Sequence, residues 1–207
     1  MTSGTVFIAF FSASILLAVT PGPGIMYVLT RSLAGGRREG ILSSLGTFVG
    51  GFAHVIAAGL GLSAVLATSA VAYRAIRWTG AAYLVYLGIR MCRSAAEHNE
   101  LVTRGATGGN PFVQGVMTEV LNPKTALFFL SFIPQFVDAR LGTVFGQFLL
   151  LGAITVILNT SADVLVAICA GPIGKRLLAS RRARRNQKRA TGALMIGLGI
   201  YVAAHDA

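Results

Sequence analysis

The stretch AVTPGPGIMYVLTRSLAGGRREG, residues 18–40, places two prolines and two glycines near the end of an apolar run and then follows them with three arginines. A helix broken this way has a different meaning in each solvent. In water the freed backbone groups bond to solvent. In a hydrocarbon layer they find no partner unless the protein provides one.

Composition decides which solvent applies. Of 207 residues, 54% fall in the AVILMFWYC set, and the 25 glycines bring the apolar share to about two thirds, against roughly 45–50% for soluble domains. Charged residues make up only 12%. Six hydrophobic stretches follow: Thr5–Leu29, Ile41–Leu66, Ala72–Met91, Pro111–Val137, Thr143–Ala170 and Ala190–Ala204. The first five are long enough to cross a core of about 30 Å at 1.5 Å per residue. The sixth is short, with Arg189 and His205 placed to snorkel from its ends. The N-terminal run has no basic segment before it and outlasts a signal-peptide core, so it reads as a retained first span. The expectation is an all-α polytopic membrane protein with six transmembrane helices.

The net charge of +11 is explained by its distribution. The first, third and fifth connections carry fourteen cations: Arg31, Arg37 and Arg38; Arg90, Arg93 and Arg104; and eight between Lys175 and Arg189. The second and fourth carry only Arg74, Arg77 and Arg140. By the positive-inside rule the odd connections are cytoplasmic and both termini lie outside. The basic run KRLLASRRARRNQKR reads as an orienting loop against anionic lipid, not as a nucleic-acid site. Cys92 and Cys169 are too few and too scattered for a metal or disulfide framework, and read as packing residues.

One single domain, residues 1–207, divides at its least hydrophobic segment between spans. Residues 1–93 form a first three-span half, 94–110 a cytoplasmic connection and 111–207 a second half. An odd number of crossings per half gives inverted topology. Each half opens with a proline-broken span, TPGPG at Thr20–Gly24 and LNPK at Leu121–Lys124. A proline removes one backbone donor and clashes with the carbonyl four residues back, costing ~3 kcal/mol or more in a regular helix. Paired breaks in corresponding spans point to a site between the halves.

Ionisable residues at membrane depth are functional candidates by default. Lys124 lies more than a dozen residues into the fourth span, with Glu119 and Asn122 close before it. Asn159 and Asp163, four apart, share a face of the fifth span. His54 lies midway along the second, and reads either as a helix-contact hydrogen bonder or as a proton carrier. Lys124 with Glu119 or Asp163 reads either as a structural buried pair or as a site for a zwitterion, its acid also able to take up a proton. Gly46 and Gly50, in a GxxxG arrangement, favour close helix packing and leave a homodimer open.

TPGPG followed by TRSLAGGRREGILSSLGTFVGGFAH, then WTGAAYLVYLGIRM, then FVQGVMTEVLNPKTALFFLSFIPQFV, resembles the LysE/RhtB family of bacterial amino-acid exporters through almost the whole chain. The resemblance implies a six-span permease of the bacterial inner membrane, driven by the proton gradient and expelling amino acids or close derivatives without a cofactor. It marks Pro21, Gly22 and Pro23 as the first break and Asn122, Pro123 and Lys124 as the second. The fifth-span acid is then Asp163, with Asn159 as the competing alignment. Efflux of a metal or organic cation is the alternative, although the three His and two Cys do not cluster at ligand spacing. An intramembrane enzyme would need a constellation such as HExxH or GxSxG, which the sequence lacks. A non-transporting scaffold is the remaining reading.

Overall fold

The computed structural model describes residues 3–20, 22–68, 70–94, 108–138, 142–170 and 181–204. Its helices are α1 Ser3–Val19, α2 Pro23–Thr68, α3 Ala70–Ser94, α4 Pro111–Val120, α5 Pro123–Leu127, α6 Val144–Cys169 and α7 Arg181–Ala204. A π turn, Phe128–Phe132, and a 3-10 turn, Ile133–Phe136, continue from α5. Among the described residues there is no strand, as an all-α chain in lipid requires. By length and composition Pro23–Val65 and Val144–Cys169 can each cross a membrane, and the bent pair Pro111–Val120 and Pro123–Phe136 makes a third crossing if it is one span.

Both expected breaks are present. The chain leaves helical geometry between Val19 and Pro23, and again at Leu121–Asn122, where the two segments meet at 44°. Pro21 itself lies outside the described residues. The second break ends one helix and starts another: the Asn122 side chain accepts from Lys124 N at 3.1 Å and Pro123 takes the first helical position. Asn110 and Pro111 start α4 in the same way, with Asn110 Oδ1 accepting from Phe112 N at 2.9 Å. An asparagine cap suits a helix start, and a proline at the first position forfeits no intrahelical bond.

The first connection differs from its sequence reading. The chain stays helical through Arg31 and turns at Gly36 (φ 80°, ψ −174°), a backbone conformation open to glycine alone. Arg31, which the sequence places in the first cytoplasmic connection, is only 2% exposed. It donates to Tyr27 Oη at 3.2 Å, Glu39 Oε2 at 3.1 Å, and Gly109 O and Gln114 Oε1 at 2.9 Å each. A buried guanidinium needs partners for its whole fork, and this set ties α2 on both sides of Gly36 to the start of α4. Its charge is spent inside the protein.

Packing follows the small residues. A Cβ on Gly50 would stand 2.7 Å from Val116 O, and Gly46 and Gly115 lie against each other's backbone, so α2 and α4 touch main chain to main chain. The glycine pattern of the second span serves this contact. Likewise α3 meets α7 through Gly88 and Gly199, where added Cβ atoms would stand 2.5 Å from Gly192 O and 2.7 Å from Ala81 O. Phe10, Phe128, Phe129, Phe132 and Phe148 fill the apolar core between α1, α2, the segment after α5 and α6.

Gly115→Leu should therefore weaken the folded state by about 1–3 kcal/mol or more through overpacking. Gly61→Ala, with nothing within 4 Å of the new Cβ, should be near neutral. Thermal unfolding of the detergent-purified variants, followed by loss of the monodisperse peak on size exclusion, measures the contrast.

Candidate functional site

A proline cannot donate to the carbonyl four residues back, which is that of Leu17 for position 21 and that of Glu119 for position 123. Both of these carbonyls are met by side chains from elsewhere in the chain. Lys124 Nζ donates to Leu17 O at 3.1 Å and to Thr20 O at 2.8 Å. His54 Nε2 lies 2.8 Å from Glu119 O. A carbonyl only accepts, so Nε2 of His54 carries the hydrogen, and Asn122 N bonds the same oxygen at 2.9 Å. The His54 ring lies parallel to Phe129 with centroids 6.4 Å apart, which fixes its orientation. Of the two readings of His54, the geometry matches the helix-contact hydrogen bonder.

The breaks thus exchange partners. Lys124, from the second break, sits on the C-terminal carbonyls of α1, the negative end of that helix. Its stem passes over Gly22, where a Cβ would stand 3.0 Å from Cε and 3.1 Å from Nζ. Glu119 approaches the other end of the first break: a Cβ on Gly24 would stand 2.6 Å from Glu119 Oε2, so this carboxylate lies at the N-terminal, positive end of α2. Its oxygens also accept from Asn122 Nδ2 at 3.0 Å and Thr125 Oγ1 at 2.6 Å. The glycines of TPGPG leave room for these two side chains. Pro23 and Pro123 are exposed and stand at the starts of their helices.

Asp163 faces this arrangement from α6, 7% exposed. Thr47 Oγ1 donates to Asp163 Oδ2 at 2.8 Å and also lies 2.9 Å from Ser44 O. One hydroxyl carries one hydrogen, so both bonds are complete only when the carboxyl brings a hydrogen of its own. Asn159, one turn away on the same helix, is half-buried and its side chain has no hydrogen-bond partner among the described residues.

Two adjoining spaces connect these groups. One is lined by Thr47, Gly51, Glu119, Thr125, Asn159 and Asp163, the other by Gly24, Ile25, Glu119, Asn122, Lys124 and Asp163 among others. In this conformation they admit water-sized occupants and no amino acid. Along α6 the polar layer lies between the core residues Phe148 and Val156 on one side and Ala167, packed near Gly40, on the other.

The structure therefore brings together Gly22, Asn122, Lys124, Glu119, Asn159 and Asp163 from the residues singled out in the sequence. His54 braces the second break without lining either space. Thr47, Thr125 and Gly24 were not singled out individually. Threonines within apolar spans carry too weak a signal alone, and Gly24 stands out in the sequence only as part of a break. Among the described residues no three His, Cys, Asp or Glu side chains group as metal ligands.

Paired breaks around buried charges in an apolar helical chain define a polytopic membrane protein with an internal polar site. The chain matches the LysE type translocator model over residues 15–206, and it belongs to that family. It is 28% identical over 200 residues to the homoserine/homoserine lactone efflux protein of Salmonella typhimurium, covering 95% of each chain. Over 203 residues it is 28% identical to an uncharacterized membrane protein of Vibrio cholerae, covering 98% of each chain. It is also 27% identical to the uncharacterized membrane protein YrhP of Bacillus subtilis, covering 93% of this chain and 96% of that one. No solved structure matches it significantly.

Removing the His54 donor should cost about 0.5–1.5 kcal/mol, because the Glu119 carbonyl then keeps only its bond from Asn122 N. His54→Gln, which keeps an N–H donor, should recover part of the loss relative to His54→Ala. Chemical denaturation of the two variants in detergent checks this; equal stability of His54→Ala and the unsubstituted protein would count against the bracing contact.

Proposed function

We propose that this protein is a secondary transporter that exports amino acids or close derivatives, homoserine or its lactone among the candidates, from the cytoplasm in exchange for protons. The observation that carries the reading is the polar layer where two broken helices meet a buried acid on a third. Such breaks are tolerated where they line a cavity, and a transporter needs a site of this kind at mid-depth. Family membership and the efflux relatives support the same reading.

Proton exchange is supported by the hydrogen count at Thr47. A proton on Asp163 completes the bonds from Asp163 to Thr47 and from Thr47 to Ser44, while a substrate ammonium can take that proton's place against the carboxylate. Six spans in two inverted halves are supported by the order of elements: an apolar helix, a break, a shorter helical segment, a long helix and a further helix recur as α1 to α3 and as α4 to α7. The cation-rich odd connections favour an inner-membrane orientation with the basic segments in the cytoplasm and both termini outside.

Cells fed dipeptides should accumulate less free amino acid when they express the protein, and a protonophore should remove the difference. Asp163→Asn should lower export at least about ten-fold, which corresponds to roughly 1.4 kcal/mol or more in the rate-limiting step. Wild-type export by Asp163→Asn would sink this role for Asp163. Protonophore-resistant export would sink the coupling.

A further inference from the structure

Resting on the transporter reading, we propose that Gly51 on α2 and Val156 on α6 set the largest substrate side chain that the site accepts. The charged groups of the substrate lie in the second space and its side chain in the first, an arrangement that selects amino acids with short side chains.

The two spaces offer different groups. Leu17 O and Thr20 O take two of the three hydrogens of the Lys124 ammonium, and Lys124 lines the second space and not the first. The third hydrogen is open to a substrate carboxylate there. Asp163 lines both spaces, and while Thr47 bonds its Oδ2, its Oδ1 has no hydrogen-bond partner among the described residues. A zwitterion held between Lys124 and Asp163 meets both charges with opposite ones. Past Asp163 the lining gains Gly51, Val156 and Thr160 and loses the lysine, so this side suits an uncharged group.

The wall on this side is the seam between α2 and α6, which interlock one turn at a time. A Cβ on Gly152 would stand 2.6 Å from Val55 Cγ1, a Cβ on Gly51 would stand 3.0 Å from Val156 Cγ2, and Thr47 bonds Asp163 at 2.8 Å. The first space is bounded by the last two of these contacts. Gly50 packs on α4, whereas its neighbour Gly51 faces Val156 and the space. A methyl added at Gly51, or methyls removed from Val156, therefore change the room for a substrate side chain without touching Lys124 or Asp163. The Thr160 hydroxyl has no hydrogen-bond partner among the described residues and can pair with a hydroxyl on that side chain, as in threonine or homoserine.

The test uses the purified full chain in proteoliposomes loaded with labelled valine, threonine, leucine or phenylalanine, with efflux driven by an acid exterior. Leucine against valine reads size, and threonine against its isostere valine reads the hydroxyl. Val156→Ala should raise the leucine-to-valine efflux ratio about ten-fold or more, and Gly51→Ala should lower it by a similar factor, as expected for one methylene in a closed pocket. Phenylalanine should leave more slowly than valine through the unsubstituted protein and gain most from Val156→Ala. Thr160→Val should lower the threonine-to-valine ratio and leave leucine-to-valine unchanged. If Gly51→Ala does not fold, Val156→Ala carries the size test alone. A purely structural role would scale every probe by the same factor, and ratios unchanged by the Gly51 and Val156 variants overturn the proposal. A threonine-to-valine ratio unmoved by Thr160→Val removes the hydroxyl contact. Efflux of no probe by the unsubstituted protein removes the transporter reading, and the proposal with it.

Discussion

The ammonium of Lys124 on the carbonyls of Leu17 and Thr20 is the contact on which the centre of the molecule depends. It joins α1 to the segment that begins with α5, about a hundred residues apart in sequence, by supplying a donor where proline cannot. Glu119 supplies the reciprocal anion to the start of α2. Two helix ends that would each be intolerable in hydrocarbon are compatible because each break carries the other's missing partner.

From that exchange the rest of the layer follows. A lysine stem across Gly22 and a carboxylate beside Gly24 leave no room for side chains at those positions, so the PGPG sequence and the NPK sequence are two parts of one fitting. His54 closes the remaining carbonyl at the second break and stacks on Phe129, tying the layer to the phenylalanine core. On the other side, Arg31 binds α2 to the entry of α4 through Glu39, Gly109 and Gln114. The polar layer lies between an aromatic core and a buried guanidinium, with Asp163 and Asn159 facing it from α6.

Much of this was legible in the residues. Apolar composition called for helices in lipid, and TPGPG and LNPK each marked a break that the structure contains. Lys124, Glu119, Asn159 and Asp163 stood out because a charged or amide side chain is costly at that depth. Arg31 was misjudged for a related reason: an arginine near a run of arginines reads as a surface charge, and only its surroundings show it to be buried. Thr47 was invisible because a threonine in an apolar helix commonly bonds its own backbone, and its approach to Asp163 joins residues 116 apart.

The sequence by itself determined the class of the protein: its solvent, its helices, the positions of its breaks and its family. These depend on local chemistry, since hydropathy, missing proline donors and motif order are properties of neighbours along the chain. The tertiary structure alone decided which carbonyl each buried charge meets. That choice depends on how two distant helix ends are brought face to face, and it sets Lys124 and Glu119 against the two breaks while Asp163 faces them from α6.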